Sequence, residues 1–169
     1  MSVTNIGLDL GFGNFKMVGE GGSVIVPSHI AIETGKEYRV DGLNSGKRPL
    51  SIEVDGVKYF AGERAHEWGT AIENVDSDRL LGSPEAQVLM YAAFAKYMKL
   101  SDVTTMIGVV VAVGLPLELS KAEEARKNAS KVKGWIVGDH SWLADGIEYT
   151  LSIRQVFVTS QASGVIQDY

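Results

Sequence analysis

The chain has 169 residues, 45% of them hydrophobic and 22% charged, with a net charge of −5. That is enough to bury one good core with room for a smaller lobe. Acids and bases are mixed along the chain, which argues against a dedicated nucleic-acid surface while leaving room for a local basic patch. The chain has no cysteine, which excludes a disulfide framework and a thiolate zinc site. The opening residues, MSVTN, lack the basic-then-apolar plan of a secretory signal. The longest apolar run, Val109 to Leu117, is interrupted by glycine and proline and is too short to span a bilayer. A soluble, cytoplasmic, globular protein is expected.

In chain order, residues 5–10, 14–19 and 23–26 read as three strands joined by glycine turns short enough to require antiparallel hairpins. From Pro27 to about Gly69 the texture changes to short polar segments, with one clear hairpin, SIEVDGVKYF, whose Asp55-Gly56 suits a type I′ turn. This stretch is expected to be an inserted subdomain. Ser83-Pro84-Glu85 predicts a helix start, and the helix runs to about Lys99 as a mostly apolar cylinder. Residues 107–117, IGVVVAVGLPL, are apolar on both faces, as in a central parallel strand covered by helices.

Ser120 to Glu123 forms a capping-box pattern. The helix behind it places Ala122, Ala125, Ala129 and Val132 on one face and is expected to end at Gly134. A second hairpin turns at Asp145-Gly146. The strand 153–160 then leads into Gln161-Ala-Ser-Gly, which reads as the first turns of a helix. The order βββ, insertion, α, β, α, hairpin, β, α is an α/β layout with an antiparallel edge and parallel strands further in.

The opening stretch IGLDLGFGNFKMV carries the chemistry. Ile6, Leu8 and Leu10 alternate with Gly7 and Asp9, so the carboxylate faces away from the apolar side. An acid in such a strand is costly unless paired or beside a cation. The Gly-Phe-Gly-Asn turn can aim backbone N–H groups at one anion, and Lys16 can add its charge at the same point. These are the parts of a nucleotide-phosphate cradle, although a structural Asp9–Lys16 ion bridge in an ordinary hairpin accounts for the same residues. The stretch GLNSGKRP (42–49) is one residue short of a P-loop, and it carries arginine where a Ser/Thr must hold magnesium.

Asp9-Leu-Gly-Phe-Gly-Asn-Phe-Lys16 resembles the first phosphate motif of the actin, sugar-kinase and heat-shock-chaperone ATPase superfamily. VIVPSHIA (24–31), YFAGERAHEWG (59–69), DRLLGSPEAQVLMYAAF (78–94), VAVGLPLELS (111–120) and VFVTSQASGVI (156–166) are similar, in order and spacing, to segments of ParM-type plasmid-segregation actins and archaeal actin-like proteins. The resemblance implies a ribonuclease H-like, actin-type α/β domain: a mixed five-stranded sheet with flanking helices and a small inserted subdomain. It implies that residues 1–169 are the N-terminal lobe, with its core at about 1–27 and 70–169 and the insertion at about 28–69. The second lobe of the family is absent from the chain.

It further implies a Mg2+-dependent ATPase (or GTPase). Asp9 would hold magnesium through water. The main chain of Gly11, Phe12, Gly13 and Asn14, with the Lys16 side chain, would hold the β- and γ-phosphates. Gln161 would orient the attacking water as the catalytic residue. The partners implied are copies of the same protein in a filament and a DNA-bound adaptor, with no direct nucleic-acid or membrane contact.

A small-molecule kinase of the same superfamily is the alternative. Such enzymes need an aspartate near the strand-to-helix junction, and Thr159-Ser160-Gln161-Ala162 carries no acid before Asp168. A non-enzymatic module that keeps the fold is the third reading. His29, His66 and His140 lie far apart in sequence with no ligand-spaced partner. Asn128-Ala-Ser130 matches a glycosylation sequon inside an expected helix, and Trp68, Trp135 and Trp142 are expected in the core or an interface.

Overall fold

The computed structural model describes residues 4–35, 47–72, 77–116 and 123–160. The opening strands form as expected: β1 (Asn5–Leu10), β2 (Asn14–Gly19) and β3 (Gly22–Pro27) make an antiparallel meander. β4 (Ile30–Ile32), β5 (Leu50–Val54), β6 (Val57–Ala61) and β7 (Thr70–Ile72) follow, with a 3-10 turn at Ala65–Glu67. A short α1 (Ser77–Leu80) precedes α2 (Pro84–Leu100). Next come β8 (Thr105–Leu115), α3 (Ala125–Ile136), β9 (Gly138–Ala144) and β10 (Ile147–Ser160).

β8 is parallel to both β1 and β10, so the sheet β3-β2-β1-β8-β10 is mixed and five-stranded. β9 and then β5-β6-β4-β7 extend it to ten strands. The strands of the expected insertion therefore continue the main sheet, joined where Ile52 pairs with Ala144 and Glu53 with Leu143. Asp145 clamps that seam, its N–H donating to Ser51 O at 2.9 Å and its Oδ1 accepting from Ser51 N at 3.0 Å. Both Asp-Gly turns adopt the left-handed pair that a type I′ hairpin needs, with φ 52°/76° at Asp55-Gly56 and 49°/79° at Asp145-Gly146.

α2 starts where the sequence places it: Ser83 is the cap, its hydroxyl accepting from Ala86 N at 3.2 Å, and Pro84 is the first helical residue. Its buried residues run from Ala86 to Met98 on nearly every side, against β-strand residues Ile6, Leu8, Leu10, Phe15, Met17, Val109, Val111 and Val113. Burying a side chain of this size contributes about 1.5–3 kcal/mol.

α3 packs on the same side of the sheet. His140 bridges the two helices, with one ring nitrogen 3.0 Å from Tyr91 Oη and the other 2.7 Å from Ile136 O. Tyr91, Trp142 and Tyr149 stack in sequence behind it.

Among the described residues α2 and α3 lie on one face of β8, and the helix expected to begin at Gln161 lies outside the described residues. The opposite face leaves Ala112 exposed and Ile107 73% exposed. Three expectations change. α3 does not end at Gly134. It runs on to Ile136, capped by Val137, and the positive-φ glycine is Gly138 at 129°. The cap is Glu124, with no side-chain hydrogen bond, and Ser120 of the expected capping box lies outside the described residues. Finally, His29 and His66, remote in sequence, bring their rings to 5.0 Å. Among the described residues no three His, Asp or Glu side chains cluster as metal ligands.

Candidate functional site

The strand registers carry Asp9 into a line across the sheet. Asp9 pairs with Lys16 on β2 and with Gly114 on β8, and Gly114 pairs with Thr159 on β10. Because alternate residues of a strand face opposite ways, Lys16, Asp9, Gly114 and Thr159 share the face turned away from α2 and α3. Three strand spacings separate the ends of this row, about 14 Å. Gly114 has no side chain, so the middle of the row is low. Asp9 is half-buried and Lys16 exposed, at the end of the sheet where β1 and β8 both finish. Ligands of open α/β sheets gather at the carboxyl ends of parallel strands.

The turn from β1 to β2 caps that end. Gly11 N donates to Asn14 O at 3.2 Å and closes the turn on itself. A Cβ at Gly11 would stand 2.6 Å from Asn14 O, a backbone atom that cannot swing aside, so glycine is required there. Gly13 is different. Its φ is not positive, and a Cβ built on it would meet nothing within 4 Å. Nothing in the packing of the described residues accounts for glycine at that position.

Ser28, just past β3, pins the turn from behind. Its hydroxyl donates to Gly11 O at 2.9 Å and its N–H donates to Gly13 O at 2.9 Å. With Gly11 O held toward Ser28, the trans peptide that follows aims the Phe12 N–H the other way, and the Gly13 N–H lies in the next peptide of the turn. Neither makes a hydrogen bond among the described residues. Two unused donors, an open glycine and a nearby lysine fit an anion better than they fit a closed structural hairpin. Sequence reading missed Ser28 as a positioning residue; the signal available was a serine directly after the proline that ends β3.

Of the expected site residues, the structure brings Asp9, Gly11, Phe12, Gly13, Asn14 and Lys16 together around one turn. Gln161 lies outside the described residues, one position beyond the end of β10 at Ser160. The arrangement of donors fits a phosphate, and Asp9 is the single carboxylate in the row. Mg2+ usually keeps several waters and takes one or two carboxylates plus phosphate oxygens, so a single acid beside a phosphate cradle is adequate for it.

Two cavities lie elsewhere. One, of about 340 Å³, sits at the seam between Ser51 and Asp145, and the other, of about 450 Å³, sits between Thr105 and His140. Neither touches the Asp9 row. No helix among the described residues is long and apolar enough to cross a membrane.

The family described as "Actin like proteins N terminal domain" matches residues 7–164. No curated protein matches. Among solved structures, the apo psk41 ParM protein superposes with a TM-score of 0.79 at 17% identity, covering 99% of this chain and 52% of that one. Ta0583, an archaeal actin homolog, gives 0.73 at 22% identity, covering 97% and 48%, and the same protein is also known in complex with ADP. The filament structure of AlfA from the B. subtilis plasmid pLS32 gives 0.67 at 13% identity, covering 98% and 58%. The chain thus spans about half the length of the solved structures it matches.

Proposed function

The chain belongs to the family of actin-like protein N-terminal domains, and from that membership we propose that it is the nucleotide-binding half of a filament-forming actin-like ATPase. The proposed setting is plasmid or DNA segregation, or a bacterial, archaeal or phage cytoskeleton. One observation carries the reading. Among the described residues the Phe12 and Gly13 amides are unused and Gly13 is open, in the turn that joins the strands on which Asp9 and Lys16 are cross-strand partners.

In this reading the Phe12 and Gly13 amides hold phosphate oxygens, with Asn14 at the turn's end. Gly11 closes the turn and Ser28 fixes its direction. Lys16 neutralises phosphate charge. Asp9 holds Mg2+ through water, and the ion supplies charge neutralisation to the phosphates. Gln161, the residue after the end of β10 in sequence, orients the attacking water. Phosphoryl transfer rests on positioning and charge neutralisation, so these roles suffice chemically. AlfA is known as a filament and Ta0583 in complex with ADP, and these likenesses support self-association and nucleotide binding for this chain as inferences.

Residues 1–169 span about half the length of the solved structures they match, so in this reading they form one wall of a two-lobed cleft. The chain is therefore expected to bind Mg-ATP weakly and to hydrolyse it negligibly. Calorimetric titration tests this, and a micromolar constant would refute the half-site reading. In a protein carrying both lobes, light scattering should rise on adding ATP and decay with hydrolysis. A persistent monomer under those conditions would overturn the filament assignment.

A further inference from the structure

α3 has a charge pattern that neither the core nor the nucleotide site uses. Its twelve residues, ARKNASKVKGWI, contain Arg126, Lys127, Lys131 and Lys133 and no acid. All four are exposed, and the ion pairs among the described residues, Lys58–Glu33, Arg64–Glu67 and Arg79–Glu85, lie elsewhere. Asn128, Val132 and Ile136 form the buried stripe.

At 3.6 residues per turn, Arg126 and Lys133 fall on one flank of the outward face and Lys127 and Lys131 on the other. Ser130 and Gly134 form the ridge between them, and a Cβ at Gly134 would meet nothing within 4 Å. Two rows of cations thus straddle a low ridge about 10 Å long, measured from Arg126 to Lys133 by the helical rise.

The rest of the chain has the opposite sign. Of 21 acids and 16 bases in the whole sequence, every acid lies outside α3, where only 12 of the bases remain. The β9–β10 hairpin is one such region. Asp139, Asp145 and Glu148 are exposed there, and Arg154 is the single lysine or arginine on its two strands.

We propose that the basic face of α3 is a docking surface for a second copy of this chain, which presents the acidic β9–β10 hairpin. Charge complementarity within one sequence favours this occupant. A chain of net −5 repels a long polyanion at a distance, yet it carries its own acidic partner. β9 begins two residues after α3 ends, and the hairpin tip lies seven residues further on, about 23 Å away along an extended strand. The two surfaces are thus different patches of one molecule. A contact between different patches, made once per pair of copies, is heterologous and leaves a free patch on each end, so it propagates into an open assembly unless its rotation closes a ring. The inference deepens the filament reading by naming one of its surfaces, and it does not depend on the nucleotide site.

The test is sedimentation velocity on the chain at about 10 mM and about 1 M salt, where the Debye length falls from about 30 Å to about 3 Å. Association is expected at low salt and should be lost at high salt. Lys127→Glu/Lys131→Glu should weaken it by at least about tenfold. Mixing that variant with Asp139→Lys/Glu148→Lys should restore it, while each variant alone stays monomeric. All four positions are exposed, and circular dichroism confirms that the variants fold.

A wild-type monomer at low salt would overturn the proposal, as would association indifferent to the reversal. So would duplex DNA binding that the α3 reversal abolishes, because the patch would then serve a phosphate polyanion. Mg-ATP titration of the same samples separates the two readings. Salt-sensitive association without nucleotide binding sinks the ATPase reading and leaves this one standing.

Discussion

Two glycines of one turn should respond in opposite ways to the same substitution. At Gly11, alanine would place Cβ 2.6 Å from Asn14 O. Relief means opening the turn by more than half an ångström, which forfeits the 3.2 Å Gly11 N–Asn14 O bond. That bond is worth about 1 kcal/mol, and the backbone shift adds about 1–2 kcal/mol as in other overpacked sites. Gly11→Ala should therefore destabilise by about 2–3 kcal/mol.

At Gly13, alanine meets nothing within 4 Å at an ordinary φ. Reduced freedom of the unfolded chain should leave stability unchanged or raise it by about 0.4–1 kcal/mol. The new methyl would nonetheless occupy the space above the Phe12 and Gly13 amides. Urea denaturation of the two variants gives the stability differences, and an NMR shift titration with Mg-ATP gives the binding. The reasoning fails if Gly13→Ala loses more than about 1 kcal/mol, or if it binds Mg-ATP as the parent chain does.

Ser28→Ala removes the hydroxyl that donates to Gly11 O at 2.9 Å. It should lower stability by about 1 kcal/mol and weaken nucleotide binding more than it lowers the unfolding midpoint, with both read from the same titrations. Asp145→Ala removes the acceptor of Ser51 N and puts alanine at φ 49°. A loss of about 2 kcal/mol and faster hydrogen exchange at Ser51 are expected, whereas Asp145→Asn, which keeps an oxygen and tolerates that conformation, should lose less than half as much. Burial, and secondarily the charge of Asp55, raises the Tyr91 phenol above its ordinary value. The folded state therefore keeps this proton after the unfolded chain has released it. This contribution to stability is intact below about pH 10 and is lost as pH rises toward the raised value. Denaturation midpoints compared across that range with Tyr91→Phe check it: the variant should lose less stability between pH 9.5 and 11 than the parent does.

The elements legible in the sequence are those whose cause is local. Ser83-Pro84 fixes the start of α2 because a hydroxyl cap and a residue without an N–H suit only that end of a helix. Asp55-Gly56 and Asp145-Gly146 fix two hairpins because both positions need positive φ. What escaped has non-local causes. β4 and β7 are three residues each and exist by pairing with one another, β4 pairing also with β6. β10 joins the second hairpin arm to the parallel strand in one run of 14 residues, and its register shifts between Leu151 and Gln155 leave no mark in the composition. The end of α3 was misplaced because Gly134 sits on an outward ridge, where a glycine costs some helix stability without forcing a stop, while Ile136 is wholly buried against the core.

The site shows the same division between local and distant causes. Asp9, the two glycines and Lys16 lie within eight residues, so their convergence could be read from a single hairpin, but a hairpin alone does not distinguish a ligand cradle from an ion bridge. The discriminating facts come from 15 residues away and further. Ser28 holds both turn carbonyls back, and β8 and β10 set Gly114 and Thr159 in line with Asp9. A turn that only reversed the chain would need one glycine, at the position where Asn14 O approaches. The second glycine, open and beside two amides unused among the described residues, leaves room for an anion that those residues do not supply.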